Sequence, residues 1–307
     1  MWMRRRCAHM GNHSNREGAM LTRVEHDFGR GPAAWLHGGK GEQPLHFAAA
    51  NGFPVASYQF FLRHFADDFS LLGMENRGAW PHAQPPRGFN WQDHADDLIA
   101  FLEHQQTAPV VALGHSIGAS VSALAAARRP DLFKALVMYD PATLPGRLLP
   151  KFPKLISPWV TRHIGLVKRT RGRRQQWTDH REFIDYHAQK PIYKRFSEQA
   201  FVDYANAVLS PVDDGYQLNY LPAWEAHNFS HVDSPWQALK TIKVPTLLLR
   251  AEHSYLYPPS VFEFHARRCS PCVDHSVIAG VGHMALQEDD EQVAAITRRW
   301  LSEQQLL

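Results

Sequence analysis

Cysteine is scarce in this chain of 307 residues, and the scarcity excludes a fold that depends on disulfides. The three cysteines, Cys7, Cys269 and Cys272, are too few and too unevenly spaced for a disulfide framework. The pair Cys269 and Cys272 has no second pair of ligands that would complete a zinc site. We therefore expect neither a metal site nor a cofactor.

Long apolar runs and a large charge excess are also missing. No stretch is long enough to span a bilayer, and the basic segment 1–7 lacks the apolar run of a signal peptide. The formal net charge of +3 is small for this length and gives no support to nucleic acid as a partner. We expect a cytoplasmic protein without stable membrane insertion that acts on a small molecule. Whether it forms a homodimer stays open.

The arrangement of apolar residues favours one large α/β domain. Residues 1–20 are polar and show no helical or strand period, so we predict a disordered N-terminal extension. From Leu21 onward, short apolar runs alternate with amphipathic stretches, as is typical of a mostly parallel sheet flanked by helices. The predicted strands, of which the first two form a hairpin, are 24–28, 33–36, 45–50, 69–74, 110–113, 135–139, 246–249 and 273–278, and a glycine-containing turn follows at 280–283.

One long segment interrupts this rhythm. Residues 143–240 show no regular strand pattern and are dense in proline, tryptophan, tyrosine and basic residues, which predicts a mainly helical insertion. The core domain then consists of residues 21–142 and 241–307. Within it, Asn90 is placed to cap a helix whose apolar residues fall at helical spacing, with Asp97 on its polar side.

The segment Gly114-His115-Ser116-Ile117-Gly118 carries the first chemical signature. It lies between the apolar strand 110–113 and an alanine-rich helix, and this strand–turn–helix context is the one that a nucleophile elbow requires. Flanking glycines permit the sharp turn that exposes the serine hydroxyl. Because that hydroxyl is a poor nucleophile by itself, it needs a histidine base and an acid that orients the histidine. We predict Ser116 as the nucleophile.

The base is chosen by position, because the chain contains 19 histidines. His283 follows a strand and a glycine-containing turn, and it lies well downstream of Ser116. Most other histidines fit surface loops. We therefore predict His283 as the general base.

Four segments together resemble the α/β-hydrolase superfamily over the chain from about Leu21 to the C-terminus. They are Asn51-Gly-Phe-Pro54 and Asn76-Arg-Gly78, each after a strand, the motif 114–118, and Val281-Gly-His283. The resemblance implies the α/β-hydrolase fold, with the insertion forming a cap over the serine. It also implies an oxyanion hole made by the backbone N–H groups of Phe53 and Ile117, aimed at the charge that develops on the substrate oxygen.

The acid departs from the family's commonest pattern. Where the family places an aspartate after the strand 246–249, this chain has Ser254 or Tyr255, and Glu252 is the only local carboxylate. Other members place the acid after the strand that follows the nucleophile helix, and here Asp140 follows that strand. We predict Asp140 as the triad acid. Glu252, or no functional acid at all, remain the alternatives, and an aspartate before proline is also a common way to open a turn.

The resulting hypothesis is a serine hydrolase that cleaves a carboxylic ester or related acyl bond through a Ser116–His283–Asp140 triad and an acyl-enzyme. Aromatic side chains in the insertion favour a small, largely hydrophobic substrate, although packing of a helical cap explains them equally well. Two alternatives stay open. One is a non-catalytic ligand-binding protein on a hydrolase scaffold, and the other is a hydrolase of thioesters or carbon–carbon bonds.

Overall fold

The computed structural model describes residues 21–81, 84–85, 87–107, 109–143 and 165–307. The predicted N-terminal extension and residues 144–164 of the predicted insertion lie outside the described residues. The strands in the described part are β1 Leu21–Asp27, β2 Pro32–Gly39, β3 Gln43–Ala48, β4 Phe69–Met74, β5 Val110–His115, β6 Phe133–Tyr139, β7 Gln176–Trp177, β8 Leu209–Val212, β9 Gly215–Leu218, β10 Thr246–His253 and β11 Val273–Gly282.

An eight-stranded sheet with the order β1-β2-β4-β3-β5-β6-β10-β11 forms the centre of the molecule. Strands β1 and β2 form the predicted antiparallel hairpin, β2 pairs antiparallel with β4, and the remaining neighbours are parallel. The predicted mostly parallel α/β sheet is therefore confirmed. The predicted glycine-containing turn at 280–283 was wrong, because β11 runs without interruption from Val273 to Gly282.

Helices cover the sheet and make up most of the described part of residues 143–240. They are α1 Gln59–Leu62, α2 Trp91–Gln105, α3 Ile117–Arg128, α4 Gly165–Arg171, α5 His180–Ala188, α6 Glu198–Val208, α7 Pro222–Ser230, α8 Trp236–Thr241, α9 Pro259–Ala266, α10 Ala285–Glu288 and α11 Asp290–Glu303. The helices α4 to α8 lie in the predicted insertion, together with an antiparallel three-stranded sheet of β7, β9 and β8 that the sequence did not indicate.

Both faces of the central sheet are buried, as its sequence implies. Every residue of β5 is buried, and alternate residues enter opposite layers: Val111 and Leu113 join one apolar cluster, whereas Val110 and Ala112 join the other. A parallel strand covered by helices on both faces has no polar side, which is why it reads as a continuous apolar run.

Helix α2 begins as predicted, but one of its polar residues is not on a solvated face. The Asn90 side chain accepts the N–H of Gln92, and Asp93 accepts the N–H of Asn90, which completes a capping box. Asp97 is fully buried and binds the guanidinium groups of Arg77 and Arg30. The expectation of an exposed Asp97 was wrong, because helical spacing does not reveal two arginines from distant segments.

Two further properties concern the described part of the chain alone. None of the helices in it is both long enough and apolar enough to cross a membrane. In the same residues, no group of three or more histidine, cysteine, aspartate or glutamate side chains is placed to hold a metal ion, and Cys269 and Cys272 are free thiols.

Candidate active site

The predicted site residues follow neighbouring strands at the same edge of the sheet. Ser116 follows β5, Asp140 follows β6 and His283 follows β11. Strands β5, β6, β10 and β11 are adjacent and parallel, so their carboxyl ends bring residues that are far apart in sequence into one cleft. The topology therefore places all three side chains close together.

Ser116 occupies a strained turn between β5 and α3. Its backbone has φ +56° and ψ −118°, a conformation that non-glycine residues rarely adopt. A Cβ on Gly114 would lie 2.6 Å from the Cα of Ala119, and one on Gly118 would lie 2.2 Å from the backbone oxygen of Ala48. Both glycines are required because backbone approaches backbone at each, and the turn they permit presents the serine at the start of the helix.

A line of hydrogen bonds joins Ser116, His283 and Asp140. The Nε2 atom of His283 lies 3.1 Å from Ser116 Oγ, and its Nδ1 atom lies 2.6 Å from Asp140 Oδ2. All three residues are buried, with exposed fractions of 7%, 6% and 0% for Ser116, His283 and Asp140. Because a carboxylate only accepts hydrogen bonds, the proton of neutral His283 lies on Nδ1, and Nε2 is left to accept the serine proton.

Asp140 is held by more than the histidine. Its Oδ1 accepts the N–H of Ala251 at 3.1 Å, and its Oδ2 accepts the hydroxyl of Ser254 at 2.7 Å as well as His283 Nδ1. The backbone at Asp140 has φ +42°, and its N–H donates to Leu249 O at 2.8 Å. The tight turn after β6 thus directs the carboxylate across the end of β10, where these donors satisfy a fully buried charge.

Glu252, the alternative acid, lies elsewhere. It belongs to β10, its side chain is exposed, and its Oε2 accepts the N–H of Gly280 at 2.7 Å. The structure therefore brings Asp140 to His283, while Glu252 binds the backbone of the neighbouring strand.

The two predicted oxyanion donors differ in their present partners. Ile117 is the first residue of α3, where a backbone N–H has no acceptor within the helix and lies at the positive end of the helix dipole. The N–H of Phe53 donates to Ala50 O at 3.2 Å within its own loop. Ile117 thus presents an N–H next to Ser116, whereas that of Phe53 is already used in a turn.

Sequence reasoning missed a buried chain of hydrogen bonds beneath the site. His115 Nε2 lies 2.8 Å from His283 O, and His115 Nδ1 lies 2.8 Å from the hydroxyl of Tyr58, which accepts the N–H of Ala50 at 3.2 Å. Burial lowers the pKa of His115 to about 3, so the ring is neutral. Since the carbonyl of His283 only accepts, Nε2 carries the proton and Nδ1 accepts from Tyr58. This series of hydrogen bonds links the loop of Phe53 to the loop of His283. In the sequence, only the histidine within the motif 114–118 indicated it.

The predicted insertion contacts the loop that carries Phe53. The Phe53 ring stacks on Tyr204 of α6 with ring centres 4.5 Å apart. Asn51 Nδ2 donates to Glu225 O at 2.9 Å, and Asn51 Oδ1 accepts from Asn228 Nδ2 at 2.9 Å, which fastens the loop to α7. Asn51 therefore joins the loop of Phe53 to helix α7.

A further buried carboxylate lies at the end of β4. Glu75 is 1% exposed, its Oε2 accepts the N–H of Val55 at 2.9 Å, and its Oε1 lies 3.8 Å from Arg23 Nη1. Burial raises the pKa of Glu75 to about 7, against the opposing effect of the Val55 N–H. Its hydrogen bond to the N–H of Val55 connects Glu75 to the loop that carries Phe53, two residues earlier.

Known proteins resemble parts of this chain in sequence. The chain is 31% identical over 105 residues to the karrikin insensitive 2 receptor CA of Petunia hybrida, a match that covers 32% of this chain and 38% of the petunia protein. It is 30% identical over 105 residues to the 2-(acetamidomethylene)succinate hydrolase of Mesorhizobium japonicum, covering 33% of this chain and 37% of that enzyme. These matches thus span little more than a third of either relative.

Similarity at the level of the whole fold is broader. The solved structure of E-2-(acetamidomethylene)succinate hydrolase superposes with a TM-score of 0.77 at 21% identity, covering 92% of this chain and 99% of that one. The sequence model of the alpha/beta hydrolase family matches residues 26–296. The chain therefore belongs to the alpha/beta hydrolase family.

Proposed function

We propose that this protein is a serine hydrolase that cleaves a carboxylic ester or a related acyl bond. The observation that carries the proposal is the buried line from Ser116 Oγ through His283 to Asp140, with contacts of 3.1 and 2.6 Å. In this mechanism Ser116 attacks the acyl carbon while His283 Nε2 takes its proton, and Asp140 stabilises the resulting imidazolium.

The negative charge that develops on the acyl oxygen needs donors that are already in place. The N–H of Ile117 is the first of these, since it opens α3 directly after the nucleophile. The N–H of Phe53 is the second donor, and it also donates to Ala50 O at 3.2 Å. One such donor contributes about 3 kcal/mol to transition-state stabilisation. His283 then returns the proton to the leaving group, and water hydrolyses the acyl-enzyme by the same steps.

A small, largely hydrophobic substrate fits the surroundings of this site. The rings of Tyr58, Tyr193, Phe196 and Tyr204 pack around Phe53 with centroid separations of 4.5 to 6.3 Å. The described part of residues 143–240, which we propose to act as a cap, thus brings an apolar wall to the proposed oxyanion loop. The Mesorhizobium relative, named as 2-(acetamidomethylene)succinate hydrolase, supports hydrolysis as the class of reaction.

A second candidate function is ligand binding without turnover, because one relative is named as a receptor. The two candidates differ in a measurable way. A hydrolase releases product in many turnovers from a panel of aryl esters, thioesters and carbon–carbon substrates, whereas a binding protein is stabilised by its ligand without consuming it.

The proposal is tested with a fluorophosphonate probe and an aryl ester assay. We expect the wild type to be labelled, and Ser116→Ala to lose both the label and about 10³-fold or more of kcat. Ser276→Ala, on the exposed part of β11, is the matched control and keeps both. A wild type that stays unlabelled at high probe concentration, or an active Ser116→Ala variant, contradicts the proposal.

A further inference from the structure

Ser254 lies at the end of β10 and contacts the acid directly. Its hydroxyl is 2.7 Å from Asp140 Oδ2, the oxygen that also accepts the proton of His283 Nδ1 at 2.6 Å. The sequence shows Ser254 only as a residue at a position where a carboxylate is common. In the folded chain this side chain and the acid from the neighbouring strand share one hydrogen-bonding centre.

The direction of the Ser254 hydroxyl follows from the chemistry of its two partners. The N–H of Leu256 donates to Ser254 Oγ at 3.2 Å, so that oxygen already accepts a hydrogen bond. A hydroxyl has a single proton, and Asp140 as a carboxylate only accepts. The Ser254 proton therefore points at Asp140 Oδ2, and a charge-assisted hydrogen bond of this kind is among the stronger ones in proteins.

The loop that carries Ser254 is held by a buried arginine. Arg250 is 3% exposed, and its Nη1 donates to Ala251 O at 2.9 Å and to Glu252 O at 3.0 Å, while Nη2 donates to Tyr257 O at 3.1 Å. The two terminal nitrogens of this buried guanidinium thus hold three carbonyls of one loop, while its Nε has no partner among the described residues. The segment 251–257 therefore offers Ser254 a rigid base.

We propose that Ser254 is a positioning residue for Asp140. Its hydroxyl prevents the carboxylate from rotating away from His283, because Oδ2 is held from two sides while Oδ1 is held by the N–H of Ala251. The role rests on the proposed function, since Ser254 acts on the reaction through Asp140 and His283. It also explains how an acid that follows β6 functions beside β10. The residue after β10 donates a hydrogen bond to this acid, at a position where a carboxylate is common.

Kinetics provide the first test. We expect Ser254→Ala to lower kcat on an aryl ester about tenfold with KM unchanged, because one hydrogen bond to the acid is lost while the substrate-binding cleft stays intact. Ser254→Thr, which keeps the hydroxyl, should restore kcat to within about twofold of the wild type. Ser276→Ala should change neither constant. A higher KM with unchanged kcat, or a threonine variant as slow as the alanine variant, overturns the proposal.

A double-mutant cycle separates positioning from general damage to the fold. If Ser254 acts through Asp140, Ser254→Ala should cost nothing further in an Asp140→Asn background. The same tenfold loss in both backgrounds would show that Ser254 affects activity by another route, which overturns the proposal.

A spectroscopic measurement keeps the test independent of turnover. The proton on His283 Nδ1 is followed by nuclear magnetic resonance of histidine-labelled protein, assigned by its absence in His283→Ala. We expect its downfield resonance to broaden in Ser254→Ala and to sharpen again in Ser254→Thr, since a carboxylate free to rotate leaves the proton to exchange with solvent. A resonance unchanged by Ser254→Ala overturns the positioning role. Failure of the proposed function instead appears as a wild type that is neither labelled nor active while this resonance still responds.

Discussion

In two neighbouring strands an apolar run is followed by a carboxylate. Only one of these two carboxylates reaches His283. At the end of β6, Asp140 is fully buried and accepts hydrogen bonds from Ala251, Ser254 and His283. At the end of β10, Glu252 is exposed and accepts one from the backbone of Gly280. The two residues differ in the direction of their side chains and in the hydrogen-bond donors around each carboxylate.

The difference in direction follows from local geometry. The residues Thr246–Ala251 of β10 are all buried, whereas Glu252 follows where the pairing with β11 becomes irregular, and its side chain is exposed. Asp140 lies beyond the last residue of β6 in a turn with φ +42°, which directs its carboxylate toward β10. An acid at this edge thus depends on a strained turn and on donors from the adjacent strand.

The sharpest way to break this comparison is to remove each carboxylate in turn. We expect Asp140→Asn to lower kcat about 10³- to 10⁴-fold, because an amide facing Nδ1 favours the wrong tautomer of His283. Glu252→Gln keeps an acceptor for Gly280 and should change kcat less than about twofold. The kcat of each variant is measured with an aryl ester.

The two variants control for each other, since each exchanges one carboxylate for its amide. A large loss in Glu252→Gln together with an active Asp140→Asn would assign the acid to β10 and overturn the choice of Asp140. Equal, small losses in both would show that neither carboxylate acts as the triad acid, and would overturn the choice of Asp140.

Much of this arrangement was accessible from the sequence. Local patterns are enough to predict the apolar runs of the parallel strands, the glycines around Ser116 and the capping residue Asn90, because each depends on neighbours along the chain. The predicted α/β fold is confirmed, and the structure brings Ser116, His283 and Asp140 together. Their catalytic roles remain proposals.

What could not be predicted depends on contacts between distant segments. The burial of Asp97 depends on Arg30 and Arg77, and the bond from Tyr58 to His115 spans 57 positions. The donor from Ser254 to Asp140 crosses 114 positions. Spacing along a chain carries no record of such pairs, so a buried polar residue reads as a surface residue until the fold is known.

A second experiment asks whether the two strand ends are interchangeable. Asp140→Ser alone should lose nearly as much kcat as Asp140→Asn. Adding Ser254→Asp should restore about a hundredfold, because Ser254 Oγ lies 2.7 Å from the acid oxygen and a carboxylate there is within reach of His283 Nδ1. In the double variant the carboxylate introduced at position 254 would accept from the hydroxyl introduced at position 140, so the two roles exchange. A double variant no faster than Asp140→Ser would show that the turn at 140 is indispensable.

The smallest effect concerns a third strand end, that of β4, where Glu75 is buried with poorer partners than Asp140. One backbone N–H at 2.9 Å and an arginine at 3.8 Å do not offset desolvation, and burial raises the pKa of Glu75 to about 7 from its usual 4.5. Between these values the folded chain holds a proton that the unfolded chain has released. The free energy of unfolding contributed by this group therefore falls as pH rises from about 4.5 to about 7.

Glu75→Gln removes this titration and keeps an acceptor for the N–H of Val55. Relative to the wild type, we expect the variant to gain about 1 kcal/mol in unfolding free energy per pH unit between roughly pH 5.5 and 6.5, measured by urea denaturation. Glu252→Gln, which replaces an exposed carboxylate, should follow the wild type across the same range. If the difference between Glu75→Gln and the wild type stays constant with pH, Glu75 is already ionised in the folded chain. Its few partners would then stabilise the charge as well as the donors around Asp140 do, and the number of donors would no longer distinguish these strand ends.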